Sequence, residues 1–487
     1  MALRDVARGA SWMLVAQVVR TGSRGLVVLL LTRLFLSPAE YGLLFFAVSV
    51  LGVAVTLASL GFAKSGSRYV AEYRERDPGQ IPHVLRVTLA YNLIVVALTV
   101  VALVAFHDRI ATLLGEPALA PLLLVGGAYV AALSLQNGLT TLFQGFGAVT
   151  WSAVVGTVGN VALVTLVVAF LWAGAGPLGT LVGYTLAYAL AVGVGLVVLY
   201  RRFYRQYDDG DPEPGLAGRV ARYAVPLTAT RSAHVLDNRV DSVLIGYFLN
   251  ATAVGFYTLG KQVADFVIAP AYSLGFAVSP TYGERKAADR LDRAAETYHA
   301  SFRFVVALYA PAAVGMALVA DPAVHLLFGP DYAGAVPVIQ LFGLFVLARA
   351  IEKITTDGLD YLGRARVRAV AKVASALANF GLNLVLIPRA GVVGAAAATV
   401  VTYWALVLFE LVVVCRELPV DASRLARTSG LVAVVTAGVT VVVFPLSREI
   451  SSLPLLAGVV GAGVASWAAL GLASGLIDVG RLRAALG

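Results

Sequence analysis

Apolar stretches of about twenty residues, each ended by Gly, Pro or charged residues, recur along the whole chain. A helix of about 20 apolar residues is long enough to cross the hydrocarbon core of a bilayer. The composition agrees, because only 13% of the 487 residues are charged and the mean hydropathy is +0.83. Soluble domains carry about a quarter charged residues. The chain is therefore predicted to be an integral membrane protein.

Fourteen spans can be placed between the breaks, which predicts an all-α fold with about 14 transmembrane helices. The first span is expected to stay uncleaved, because no A-x-A site follows a short apolar region. The predicted spans are 11–36, 41–63, 84–106, 118–143, 150–173, 178–200, 221–249, 254–280, 298–320, 334–360, 367–388, 392–414, 426–446 and 454–476.

The basic residues are concentrated in every second loop, which the positive-inside rule assigns to the cytoplasm. An even number of spans then places both termini in the cytoplasm and the protein in the cytoplasmic membrane. This asymmetry accounts for the formal charge of +9 and the pI near 9.6 without a nucleic-acid partner. The clusters begin at Arg4, Lys64, Arg201, Arg285, Arg364, Arg416 and Arg481.

The two halves of the chain resemble each other. Residues 31–50, LTRLFLSPAEYGLLFFAVSV, align with residues 244–263 and pair Gly42 with Gly255. Residues 176–188 align with 391–403 and pair Gly176 with Gly391. We therefore expect two six-helix lobes of parallel-repeat topology, with two further helices. In transporters built from such repeats the substrate site lies between the repeats.

The predicted domains follow from this repeat. The longest hydrophilic break, YRRFYRQYDDGDPEPGLAGR at 200–219, has the composition of a flexible cytoplasmic linker. The domains are an N-terminal lobe at 1–200, the linker at 201–220, a C-terminal lobe at 221–414, and the additional helices with the tail at 415–487.

The first span carries Gln17, Arg20 and Arg24 at spacings that place them on one helix face. A charge in the middle of a membrane helix costs roughly 2.5 to 3.5 kcal/mol on insertion scales, so this face needs a partner or a water-filled cavity. Two guanidinium groups without an acid in the same span suit a phosphate or pyrophosphate, which they can bind through paired hydrogen bonds. The alternative is pairing with acids of the seventh span.

The seventh span carries a second polar stripe. Arg231 and Asn238 are further candidates for substrate binding in a central cavity. The titratable residues of the seventh and eighth spans could instead couple transport to an ion gradient, and these are Asp237, Asp241, Asp265 and His234. Ion pairing within the structure is the competing interpretation for Lys261, Asp265, Glu352 and Lys353.

Catalytic and metal-binding signatures are missing from the sequence. It has no Walker A, H-E-x-x-H or G-x-S-x-G motif, and its single cysteine, Cys415, lies in an apolar run. We therefore expect no enzyme activity, no metal and no cofactor.

Residues 359–404, LDYLGRARVRAVAKVASALANFGLNLVLIPRAGVVGAAAATVVTYW, resemble the polysaccharide-exporter branch of the MOP superfamily. These are the Wzx-type flippases of lipid-linked oligosaccharides, which are related to MurJ-type and MATE proteins. Residues 38–50 and 237–266 look like other regions of the same family. The resemblance implies alternating access and a cationic central cavity, with Arg20 and Arg24 at the positions of its first-helix arginines.

The sequence thus predicts a flippase that moves a polyprenyl-phosphate- or pyrophosphate-linked oligosaccharide across the cytoplasmic membrane for surface polysaccharide or glycoconjugate biosynthesis. Its expected partners are this lipid-linked substrate, membrane lipid, H⁺ or Na⁺ as candidate coupling ions, and glycan-assembly proteins. The alternative is a MATE-like, cation-coupled multidrug exporter, for which the acids would form the principal site.

Overall fold

A computed structural model describes residues 22–23, 25–208, 210–287 and 291–476, without the side chains of 226–238, 272–290 and 361. All regular structure in these residues is helical. The helices are α1 Gly25–Phe35, α2 Pro38–Ala58, α3 Phe62–Arg76, α4 Ile81–Leu113, α5 Leu119–Gly145, α6 Val149–Trp172, α7 Gly176–Leu199, α8 Leu216–Phe248, α9 Ala251–Ala287, α10 Leu291–Leu327, α11 Val336–Tyr361, α12 Ala365–Glu417, α13 Ala422–Ser447 and α14 Leu453–Ala473.

Ten helices of the described part are long and apolar enough to cross a membrane. One of them, α12, contains both predicted spans 367–388 and 392–414, with a break in helical geometry at Gly391. The chain is thus an all-helical, multi-pass membrane protein. The exact count of fourteen spans stays a prediction. Helix α3, by contrast, lies in a stretch that the sequence assigns to a cytoplasmic loop.

Two glycines that the sequence alignment pairs both have a positive φ. Gly176 has φ 54° and begins α7, and Gly391 has φ 60° at the break inside α12. A positive φ strains residues that carry a side chain, so glycine is favoured at both positions.

The helices form two compact units, residues 1–255 and 256–487. In the first unit α8 runs antiparallel to α2 and α3. Near one end a Cβ on Gly246 would meet the Phe46 ring, and near the other the Ser65 hydroxyl donates to the Val220 carbonyl over 2.8 Å. Helix α8 therefore packs along α2 near its Gly246 end and along α3 near its Val220 end.

The Pro38 end of α2 meets the start of α9 at a very close backbone contact. A Cβ built on Gly42 would lie 1.8 Å from the carbonyl oxygen of Ala251 and 3.0 Å from the backbone nitrogen of Gly255. Only a residue without a side chain permits this approach. Gly42 and Gly255 are equivalent in the repeat, so two repeat-related residues contact each other.

The end of the linker is held against α3 by a partly buried hydrogen-bond network. Glu213 accepts hydrogen bonds from Tyr73 and, over 2.7 Å, from Arg219. These bonds, from Arg219 first and then Tyr73, lower the pKa of the Glu213 carboxyl to about 2. Burial and the bond to Glu213 raise the pKa of Tyr73 to about 12. Gln80 also bonds the backbone of residues 211 and 213. Composition alone does not reveal this attachment.

In the second unit α10 and α11 pack together, and α12 packs on α11. The hydroxyls of Tyr298 and Thr355 share a buried hydrogen bond of 2.8 Å between α10 and α11. The last two helices pack on α10, where the indole N–H of Trp467 donates to the Ala307 carbonyl over 2.8 Å.

Candidate functional site

The first-span residues that the sequence singles out, Gln17, Arg20 and Arg24, lie outside the described residues. The seventh-span residues Arg231, His234, Asp237 and Asn238 lie on α8, whose backbone is described there although their side chains are not. Their roles in binding and ion coupling therefore stay predictions.

Arg239 and Asp241 are the charged residues of α8 whose side chains can be described beyond its first turns. Arg239 lies nine residues, about 14 Å of helix, before the end of α8 at Phe248. Its side chain forms no ion pair with any described residue. Asp241 is buried, with 2% of its surface exposed. The guanidinium of Arg239 is therefore a candidate contact for an anion.

Gly52 of α2 provides space for the Arg239 side chain. A Cβ at position 52 would lie 2.9 Å from Nε and 3.3 Å from Cζ of Arg239. The guanidinium therefore lies directly against the α2 backbone. The sequence pattern missed Arg239, because it lies off the stripe through residues 231, 234, 238 and 241.

Asp265 of α9 forms an ion pair with Arg349 of α11. The Arg349 guanidinium also lies 5.5 Å from the centre of the Phe345 ring. The interpretation of structural ion pairs is thus confirmed for Asp265. Its predicted role in ion coupling stays a prediction, because an ion pair neither requires nor excludes one.

Four ion pairs involve α11, α12 and the turn between them, and two of these pairs, Arg368–Asp360 and Lys372–Glu352, link the two helices. Each pair neutralises one acid with one base, as expected for charges in a membrane protein. The pairs are Lys353–Asp357 at 2.7 Å, Lys372–Glu352 at 3.5 Å, Arg368–Asp360 at 2.8 Å and Arg364–Glu417 at 2.9 Å.

Glu410 lies in the same region but has no base within ion-pair distance among the described residues. Its carboxylate, 1% exposed, accepts hydrogen bonds from the Thr356 hydroxyl at 3.3 and 3.4 Å. The sequence carried one signal for this residue, since Glu410 is the only charged residue of the predicted span 392–414. The described residues hold no group of three or more metal-ligating side chains.

Long apolar helices with charged side chains inside them define the class of this protein, a multi-pass helical membrane protein. The profile of the family described as "Polysaccharide biosynthesis protein" matches residues 6–280, more than half of the chain. The chain therefore belongs to this family. A profile described as MatE matches residues 226–385.

The chain is similar to proteins named for glycan biosynthesis. It is 22% identical over 404 residues to "Probable low-salt glycan biosynthesis flippase Agl15" of Haloferax volcanii, covering 82% of this chain and 81% of that protein. It is 26% identical over 374 residues to "Lipopolysaccharide biosynthesis protein WzxC" of Escherichia coli, covering 72% of this chain and 69% of the relative.

Two solved structures share the fold. The structure titled "Lipid II flippase MurJ, inward closed conformation" matches with a TM-score of 0.74 at 14% identity, covering 95% of this chain and 98% of that one. An inward-facing multidrug resistance transporter of the MATE family matches with a TM-score of 0.70 at 15% identity, covering 85% of this chain and 96% of that one. At these identities the likeness shows the fold alone.

Proposed function

We propose that the protein is a flippase that translocates a polyprenyl-(pyro)phosphate-linked oligosaccharide across the cytoplasmic membrane by alternating access. The glycan and its phosphate would pass through a polar cavity while the prenyl chain remains in lipid. The product would serve surface polysaccharide or glycoconjugate biosynthesis. Family membership and the flippase and polysaccharide names of the relatives support this assignment.

One observation carries the proposal, which is the half-buried Arg239 guanidinium that lies beside Gly52 and forms no ion pair with a described residue. In the predicted span 221–249, a guanidinium without an acid is unfavourable unless water or an anion reaches it. Arg20 and Arg24 of the first span would supply two further cations, and together they would attract the phosphate of the substrate. Low-dielectric walls around the cavity strengthen this attraction.

The proposed topology has both termini in the cytoplasm, two six-helix lobes at 1–200 and 221–414, and two additional helices after residue 414. The positive φ at both Gly176 and Gly391 supports the repeat on which these lobes are based. The proposed function would use H⁺ or Na⁺ as a coupling cation and would bring the protein together with glycan-assembly proteins.

A cation exporter is the second candidate, and the MatE match over residues 226–385 favours it. Its principal site would be acidic and would include Asp241 or Asp265. Neutralising these acids should then abolish transport of a cationic dye, whereas Arg239→Ala should leave transport unchanged.

Reconstitution into liposomes tests the proposal. The protein should make a fluorescent polyprenyl-pyrophosphate oligosaccharide accessible on the opposite leaflet faster than empty liposomes do. Arg239→Ala should slow this flipping at least tenfold, because one charge-assisted contact contributes about 1.5 to 3 kcal/mol. Transport of a cationic dye without flipping of the lipid-linked glycan would refute the flippase assignment and establish the exporter.

A further inference from the structure

Glu410 is a buried acid of the described residues that the proposed substrate site does not use. It lies seven residues before the end of α12 at Glu417, about 10 Å of helix, and therefore inside the helical bundle. Its nearest described partner is the neutral hydroxyl of Thr356. A carboxylate buried in low dielectric is strongly unfavourable unless a cation or a proton neutralises it.

Two acids compete for one base at this position. Glu352 lies four residues before Thr356, whose hydroxyl bonds Glu410, so both carboxyl groups lie on the same side of α11. Lys372 is 3.5 Å from the Glu352 carboxylate and is also held by the Tyr403 hydroxyl at 3.1 Å. Arg368, the next base, is paired with Asp360 over 2.8 Å. One ammonium can neutralise one carboxylate, so the second carboxylate of this trio needs a proton.

We propose that Glu352, Lys372 and Glu410 form a proton-binding site in which the two carboxyl groups share one exchangeable proton. The arrangement seen here pairs Lys372 with Glu352 and leaves the proton on Glu410. When Lys372 turns to Glu410, the proton passes to Glu352 or is released to water as H₃O⁺. Glu352 and Lys372 are 16% and 24% exposed, whereas Glu410 is almost fully enclosed.

Such a site can couple transport to a proton gradient. The protonated and deprotonated forms favour different partners for Lys372, which joins α12 to α11, so proton binding changes the contact between these helices. A coupling role rests on the proposed flippase function, whereas proton binding itself does not. The two statements are therefore tested separately.

Infrared spectroscopy of the full-length protein tests proton binding. Near neutral pH the wild type should show the C=O stretching band of one protonated carboxylic acid, and Glu410→Gln should lose it. Glu352→Gln should lose it as well, because Lys372 then neutralises Glu410. Glu417→Gln is the matched control on the same helix, where Arg364 pairs with the acid at 2.9 Å, and it should keep the band. A band that persists in Glu410→Gln or Glu352→Gln overturns the proposed site.

Flipping in proteoliposomes under a pH difference of one unit tests the coupling. With one proton moved per cycle, the wild type should concentrate a fluorescent polyprenyl-pyrophosphate oligosaccharide on one leaflet by up to about tenfold. Glu410→Gln should reach an equal distribution on both leaflets, and Glu417→Gln should match the wild type. Gradient-driven accumulation that survives in Glu410→Gln overturns the coupling. If the wild type does not flip the probe at all, the proposed function fails, and the infrared result still decides the proton site.

Discussion

The glycine contact between α2 and α9 makes a graded prediction for alanine substitutions. A Cβ at Gly42 would lie 1.8 Å from the Ala251 carbonyl oxygen, whereas ordinary contacts begin at 3.4 Å. The two backbones would have to separate by the difference, 3.4 − 1.8 = 1.6 Å. Backbone atoms in packed helices cannot move aside as a side chain can, so Gly42→Ala should disrupt the contact.

The expected cost combines two opposing effects. Overpacking of this kind destabilises proteins by about 1 to 3 kcal/mol. Replacing glycine with alanine inside a helix recovers up to about 1 kcal/mol of helix propensity. The backbone clash at Gly42 is severe, so the overpacking cost should lie near the upper end of its range, and the net destabilisation of Gly42→Ala should be about 2 kcal/mol, a fall of a few degrees in the midpoint of thermal unfolding.

Matched glycines provide the controls. A Cβ at Gly246 would meet the Phe46 ring at 2.3 Å, and one at Gly52 would meet the flexible Arg239 side chain, while Gly156 has nothing within 4 Å. Thermal unfolding of the purified protein in detergent should therefore rank the alanine variants Gly42, Gly246, Gly52 and Gly156 from least to most stable. If Gly42→Ala unfolds at the same temperature as Gly156→Ala, the close contact of α2 with α9 is wrong.

Three further variants probe individual contacts. Glu213→Gln should expose the linker to proteases at neutral pH. In the wild type the lowered pKa of Glu213 stabilises attachment of the linker above about pH 4.5, and this stabilisation is lost towards pH 2. The raised pKa of Tyr73 stabilises the attachment below about pH 10, and this stabilisation is lost towards pH 12. Proteolysis of the linker should therefore be independent of pH between about 4.5 and 10. Arg349→Met leaves the half-exposed Asp265 without its ion pair and should lower the unfolding free energy by only about 1 kcal/mol, measured by thermal unfolding. Trp467→Phe removes the hydrogen bond to α10 and should cost about 1 kcal/mol in the same assay, and an unchanged midpoint would show that α14 packs without it.

The helices were largely predictable because the bilayer imposes a length and an apolar composition on each span. Even the break within α12 follows from sequence, since Gly391 lies between the predicted spans 367–388 and 392–414. Helix α3 was not predicted, because it is polar and forms outside the hydrophobic constraint. Its packing against α4, α5 and α8 depends on tertiary structure.

The polar residues were harder to interpret from sequence. Helical spacing identifies a stripe on one helix, but it does not show which neighbour each residue meets. The position of the Arg239 side chain against α2 depends on Gly52, which lies 187 positions away in the chain. Glu410 becomes a candidate proton site only because nearby bases are paired with other acids, and those pairings depend on the packing of α11 against α12.

The most direct test of the account is the flipping rate of a fluorescent polyprenyl-pyrophosphate oligosaccharide in proteoliposomes containing Arg20→Ala/Arg24→Ala. The matched control is Arg201→Ala/Arg202→Ala, which removes two exposed arginines after α7 and leaves the net charge equal to that of the first variant. The account predicts that the first variant, at the same reconstituted amount, loses flipping while the control retains the wild-type rate. Equal flipping by both variants would contradict an anion-attracting cavity formed by the first-span arginines.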